Sequence, residues 1–288
     1  MKDISENEKY FKYIDVLRSD SIANIYPDGS KRDWREILAY PSAHMFATGC
    51  ITRRLGKNPD FEWNRFHYSG SAFDDINFRY KNQVFSILLR FSYNGEEIPV
   101  NEKRKKDFLS IAKQNNLVPC FFPVDIIDDD KQYALHRKTN GWNLFDAETG
   151  VSINPIQMSS DEPVQMSHYE LLNKAIKIIE QELENNGFEV RATCDNPNLP
   201  EDYPRVWFVN GERKVCWVVV KYGTKKYFPT PNVDNIIQDD SILTESTGYF
   251  APVVFESEGN PIYRNIDIPI TLLEGVIGKI HDSSENKK

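Results

Sequence analysis

Pro204-Arg205-Val206-Trp207-Phe208-Val209-Asn210-Gly211-Glu212-Arg213-Lys214-Val215-Cys216-Trp217-Val218-Val219-Val220-Lys221-Tyr222-Gly223 is the stretch that decides the fold. Two runs of β-branched and aromatic residues flank a polar segment, and such side chains fit a pleated surface. Asn210-Gly211 favours a tight type I′ turn, so 206–209 and 215–222 read as the strands of a hairpin. Working upstream, Ser167-His168-Tyr169-Glu170 has capping-box spacing, in which Ser and Glu side chains satisfy free helix N–H groups. Leu172, Ala175, Ile176, Ile179 and Leu183 then form an apolar stripe, and Asn185-Asn186-Gly187 stops the helix. Residues 188–193 read as a strand. Downstream, a helix is predicted after Pro231 through Val233, Ile236 and Ile237, then an apolar strand over 250–255. A closing helix is predicted from Leu273, Val276, Ile277 and Ile280, with a fraying tail from His281.

The first half follows a similar order. Tyr10, Phe11, Ile14 and Leu17 predict a helix over 7–18, and Pro27-Asp28-Gly29 a turn. From Asp33 to Leu55 the pattern is helical but interrupted at Pro41. Strands over 76–80 and 84–91 are joined at Lys81-Asn82-Gln83. Asn101 opens a Lys-rich helix with Phe108, Ile111 and Ala112 inward, Asn115-Asn116 closes it, and 118–127 is an apolar strand. Arg90 and Lys221, each near the end of a hairpin, are 131 residues apart, and Pro123 and Pro252, in the strands that follow, are 129 apart. The two offsets agree with duplication of one unit, although any two α/β units share strands and helices by architecture. Gly150, Pro155, Ser159, Ser160 and Pro163 mark 146–165 as a linker or surface connection. The expected domains are 1–155 and 156–288.

Composition bounds the function. The chain has 288 residues, 12% of them aromatic, and such a chain needs cores in which to bury its rings. Its 35 Lys+Arg against 43 Asp+Glu argue against a DNA-coating protein, which carries excess cations to displace phosphate counterions. The first residues are polar and acidic, without the apolar stretch of a secretory signal, and no segment has the about 20 apolar residues that cross a bilayer. Cys50, Cys120, Cys194 and Cys216 are widely spaced, as reduced core thiols are. A cytoplasmic protein with no membrane partner is expected.

The quoted hairpin, with the helix before it and the helix and strand after it, resembles the core of the PD-(D/E)XK, or restriction-endonuclease-like, superfamily. The resemblance covers most of the second half and less of the first. It implies an α/β fold of two tandem restriction-endonuclease-like units packed as a pseudo-dimer, each a mixed sheet of four to five strands flanked by helices. In that family one strand carries an Asp and the next ends in (Glu/Asp)-x-Lys. The carboxylates hold Mg²⁺ against a phosphate, and the Lys orients or deprotonates the attacking water. Here Arg205 stands in place of the Asp and Val219 in place of the Glu, while Lys221 matches. In the first half Asp75 (or Asp74) matches, Leu88 replaces the Glu and Arg90 the Lys. An aliphatic side chain cannot ligate a hard cation. An acid on the preceding helix, Glu36 or Glu170, is the substitute the family sometimes uses. Asp75, Arg90 and Lys221 are therefore the candidate remnants, with Asp75 the one candidate metal ligand. Arg90 and Lys221 read equally as strand-end cations reaching solvent, and Asp75 as a turn residue.

Other constellations add little. His44, His67, His136, His168 and His281 lack zinc-site spacing, and His168 reads as an exposed first-turn residue. No nucleotide loop or hydrolase elbow occurs. Lys103-Arg104-Lys105-Lys106 reads as a solvated helix face or a phosphate contact, and Asp128-Asp129-Asp130 as a solvated loop or a cation site. Trp207 and Trp217 are placed to pair across the hairpin, in the core or as a stacking platform. The leading expectation is a non-catalytic binding or regulatory protein for a protein or nucleic-acid partner, without a cofactor. A metal-dependent nuclease with a rearranged site, using Mg²⁺, is the alternative. A further alternative is an acidic protein competing for a partner's nucleic-acid surface.

Overall fold

The computed structural model describes residues 33–64, 76–129, 132–194, 200–224, 226–227, 229–230, 246–256, 261–264, 270–272 and 278–282. Asp75 and Asp74, the 7–18 helix, the turn at Pro27 and the helix after Pro231 lie outside these residues. The described residues form two compact units divided between Asp161 and Glu162.

In the first unit, α1 (Trp34–Leu55) is one helix that runs through Pro41. The proline is exposed, so the hydrogen bond its missing N–H forfeits lies on the side where water can replace it. Ala39, Ala43 and Ala47, one helical turn apart and fully buried, let α1 approach the sheet closely, and Cys50, Ile51 and Leu55 extend that face. The sheet has β1 (Phe61–Asn64), β2 (Ile76–Tyr80), β3 (Gln83–Tyr93), β5 (Val118–Asp129) and β6 (Gln132–Arg137) in that order, with β4 (Glu96–Glu97) on β3 and β7 (Phe145–Asp146) on β5. Lys81 and Asn82 are the two-residue turn, with left-handed backbone at Lys81 (φ 49°). Phe85, Ile87, Leu89 and Phe91 of β3 pack with Cys120, Phe122, Val124 and Ile126 of β5 against α1. The alternate residues Leu88 and Phe121 face the other side, toward α2 (Glu102–Gln114), whose Phe108 and Ala112 are buried. Asn101 caps α2 by accepting from the Arg104 N–H at 2.8 Å.

The segment from 146 onward is less a linker than a part of this unit. Phe145 bridges Ser152, Ile153 is buried in the core, and α3 (Pro155–Met158) packs on β3. Its apolar Ile153 and Pro155 outweigh the Gly, Ser and Pro composition.

In the second unit, α4 (His168–Asn185) carries the full capping box and buries Leu171, Leu172, Ala175, Ile176, Ile179 and Leu183. Each large aliphatic removed from water contributes about 1.5–3 kcal/mol. The sheet order is β12 (Ile270–Leu272), β11 (Thr247–Phe255), β10 (Val215–Thr224), β9 (Val206–Val209) and β8 (Glu189–Thr193), with β13 (Gly278–Asp282) also on β11. Cys216, Val218 and Val220 face the α4 core, while Trp217 and Val219 join Phe250 and Trp207 in a second cluster. Trp217 lies directly opposite Trp207, is fully buried, and donates its indole N–H to Ser246 at 3.0 Å, so the pair is core rather than a stacking platform.

Two local readings are corrected. The Asn210-Gly211 hairpin does not use a type I′ turn. Its loop is Gly211 to Arg213, with left-handed backbone at Arg213 (φ 61°). The Asn210 carboxamide accepts from the Glu212 and Lys214 N–H groups at 3.0 Å each, which shifts the left-handed position to Arg213. Of the expected closing helix only Ile280 lies among the described residues, and Leu273, Val276 and Ile277 lie outside them. Residues 270–272 and 278–282 are strands on β11, so Ile280 is a strand residue and His281 pairs with Gly248 instead of fraying.

The two sheets share strand polarity. Read as β1-β2-β3-β5-β6 and β8-β9-β10-β11-β12, the first three strands of each are antiparallel neighbours, the third and fourth are parallel, and the last pair is antiparallel. In the parallel pairs Arg90 lies opposite Pro123 and Lys221 opposite Pro252. No helix among the described residues is long and apolar enough to cross a membrane.

Candidate functional site

Strand-end geometry fixes where Arg90 and Lys221 sit. Each lies three residues past the β-hairpin position that pairs with the start of the preceding strand, Ile87 opposite Ile76 and Val218 opposite Val206. Leu88 and Val219, at the positions where the resemblance would put an acid, are fully buried.

In the first unit Arg90 reaches the surface. It forms an ion pair with Glu97 on β4, and its guanidinium lies 5.7 Å from the Phe121 ring centre. Lys105 lies over the same ring at 5.7 Å. The basic run on α2 is divided by its own helix geometry. Lys103 pairs with Asp107 at 2.6 Å, whereas Arg104 turns inward and meets Glu36 at 3.0 Å, both buried.

In the second unit Lys221 is enclosed. Its ammonium lies 2.6 Å from Asp202, 4.0 Å from Glu201, and donates to the Thr230 carbonyl at 3.3 Å. The segment carrying Asp202 folds back just before β9. The Tyr203 N–H donates to the Pro200 carbonyl at 2.9 Å, and the Tyr203 ring meets Trp207 edge-on at 6.2 Å. Arg205, fully buried, donates to the same Pro200 carbonyl at 3.2 Å, and its own N–H is held by the Val218 carbonyl at 2.8 Å. Lys221, Glu201, Arg205 and Thr230 line a cavity of about 400 Å³ together with His168, Leu172 and Tyr222. At its helix-side wall His168 Nδ1 and the Tyr222 hydroxyl are 2.6 Å apart. Burial, and then the nearby Glu201 charge, push the Tyr222 hydroxyl up to about 12.

The migrated-acid candidates are engaged elsewhere. Glu170 takes two bonds from Arg264, each 2.7 Å, and also accepts from the Ser167 N–H at 2.9 Å. Arg264 is brought there because its N–H donates to Val164 at 2.7 Å and Met166 donates to Ile262 at 2.8 Å. Glu36 is held by Arg104. Both glutamates occupy the third position of the helix that precedes their unit's strands. Among the described residues no group of three or more His, Cys, Asp and Glu side chains is gathered to hold a metal ion.

The sequence marks Lys221 but not its surroundings. Asp202, Glu201 and Tyr222 belong to no motif, and His168 reads only as an exposed first-turn residue. Exposed it is, but it is also the partner of Tyr222. The one available signal was Glu201-Asp202 between Pro200 and Pro204, a short acidic segment stiffened at both ends.

Residues 169–275 match a family described as a domain of unknown function (DUF8840). The matched segment begins at the first turn of α4 and includes Asp202, Arg205, Lys221, Tyr222 and Arg264. No curated protein and no solved structure matches the chain.

Proposed function

We propose that this chain is a non-catalytic binding or regulatory protein built on a duplicated, degenerate restriction-endonuclease-like scaffold, with a protein or nucleic acid as its partner. The shared strand order and polarity, and the matching registers of Arg90–Pro123 and Lys221–Pro252, support the duplication. The observation that carries the non-catalytic reading is the fate of the two helix glutamates. Each is neutralised by a buried arginine, which leaves no charge to attract a cation. The strand positions where the resemblance would put an acid hold Leu88 and Val219, which offer no oxygen ligand.

One observation favours the rearranged nuclease as a second reading: two carboxylates, Asp202 and Glu201, stand near Lys221. They fit Mg²⁺ poorly, because the ammonium already occupies the Asp202 carboxylate at 2.6 Å. The two readings separate in one assay. Purified chain is incubated with single- and double-stranded DNA and RNA, with Mg²⁺ or Mn²⁺. No cleavage above an EDTA control is expected. Cleavage that disappears in Lys221→Ala, Asp202→Ala or Asp75→Ala would overturn the proposal.

A further inference from the structure

The second-unit cleft contains an asymmetry that points to how binding there is controlled. Its two cations belong to the sheet: Lys221 is on β10, and Arg205 is tied to Val218 by its own N–H immediately before β9. The carboxylate that meets Lys221 comes instead from the 200–204 segment, a strap stiffened by proline at each end. The strap is seated by the Pro200 carbonyl on Arg205, the Tyr203 ring on Trp207 and the Asp202 carboxylate on Lys221. The cations are held by the hydrogen-bonded strands, and the anion is carried on a segment outside them.

We propose that Asp202 is the built-in anion of Lys221, whose cavity Arg205 also lines, and that an external phosphate-type oxyanion takes its place on Lys221 when the strap withdraws. This inference rests on the proposed binding function and gives it a site and a means of regulation. The chemistry is a like-for-like exchange. A carboxylate oxygen at 2.6 Å from the ammonium is a charge-assisted contact, and a phosphate oxygen makes the same contact at the same length. Arg205 lines the same cavity, and guanidinium geometry matches a tetrahedral oxyanion through paired N–H donors. His168, held to the Tyr222 hydroxyl at 2.6 Å, completes the polar wall of the cavity. About 400 Å³ accommodates the anion without disturbing β10. The competing basic feature, the run on α2, lacks such a seat because its arginine is turned inward onto Glu36.

The test uses the full chain and inorganic phosphate as the probe, followed by ³¹P line broadening at constant ionic strength with chloride as the balancing anion. Asp202→Asn is expected to bind phosphate about tenfold more tightly than the wild type, the effect of one charge-assisted hydrogen bond released. Asp202→Asn/Lys221→Met is expected to lose that gain. Equal affinity of wild type and a folded Asp202→Asn overturns the proposal, as does a gain that survives in the double variant. Should Asp202→Asn lose its circular-dichroism signature, Tyr203→Leu loosens the strap while keeping the carboxylate. A smaller gain is then expected, and none overturns the idea. Cleavage of nucleic acid by the wild type would sink the non-catalytic reading alone, so the two failures are distinguishable.

Discussion

The two units treat equivalent positions in opposite ways. Arg90 is 39% exposed and pairs with Glu97, itself 53% exposed, across a surface hairpin. Lys221 lines a cavity, is 15% exposed and pairs with Asp202 at 12%. The helix glutamates differ in the same direction: Glu36 meets Arg104 at 3.0 Å, and Glu170 takes two bonds of 2.7 Å from Arg264. The second unit has therefore concentrated its buried charge at both places, while the first has moved one of its pairs out to solvent. Water screens the exposed pair and leaves it energetically small, whereas a desolvated pair is costly to disturb on one side. The second unit is accordingly where polar substitutions should matter most.

The largest effect is expected from breaking the glutamate pairs. Glu170→Ala leaves Arg264 charged in the interior and removes half of the capping box. It should cost about 3–5 kcal/mol of unfolding free energy by urea denaturation. Glu36→Ala should cost less, near the lower end of the same range, about 3 kcal/mol. A larger loss for Glu36→Ala would reverse the contrast between the units.

Much of this contrast was visible in the chain before any coordinates. The capping box at Ser167, the Asn101 cap and both hairpins follow from local chemistry, and the 131 and 129 offsets pick out positions that hold equivalent registers in the two parallel pairs. What escaped is non-local. Ile280 is expected in a closing helix, yet 278–282 pairs with β11, and a short apolar run takes its state from such partners. Asp202 reaches Lys221 only because the hairpin and the strap fold together, and His168 meets Tyr222 across 54 positions of chain. Arg264 was unremarkable in sequence because its role depends on the 164–166 segment running beside 262–264.

The strand-end cations provide a second, intermediate test. A double-mutant cycle on Lys221→Met and Asp202→Asn is expected to return a coupling of about 1–2 kcal/mol. The cycle on Arg90→Met and Glu97→Gln should return under about 1 kcal/mol and vanish at 1 M salt, because the Debye length there is about 3 Å. Equal couplings that respond equally to salt would show that the enclosure around Lys221 has no energetic consequence.

The smallest effect concerns the residue after each cation, Phe91 in the first unit and Tyr222 in the second. Phe91 is buried against α1, but Tyr222 brings a hydroxyl to His168 at the cavity wall. Burial disfavours the tyrosinate there, and Glu201 adds to it, so Tyr222 holds its proton up to about 12 when folded against an ordinary value of 10.0. Between those two values the unfolded chain releases the proton and the folded chain keeps it. Tyr222 therefore contributes stability that is complete below pH 10.0 and falls as pH rises toward about 12. Tyrosinate absorbance at 295 nm should show one component with a midpoint near 12 that is missing in Tyr222→Phe, the substitution that makes the second unit copy the first. The variant should also lose less stability than the wild type over that alkaline interval. An unchanged titration curve in Tyr222→Phe would place the hydroxyl in water and remove the distinction between the two positions.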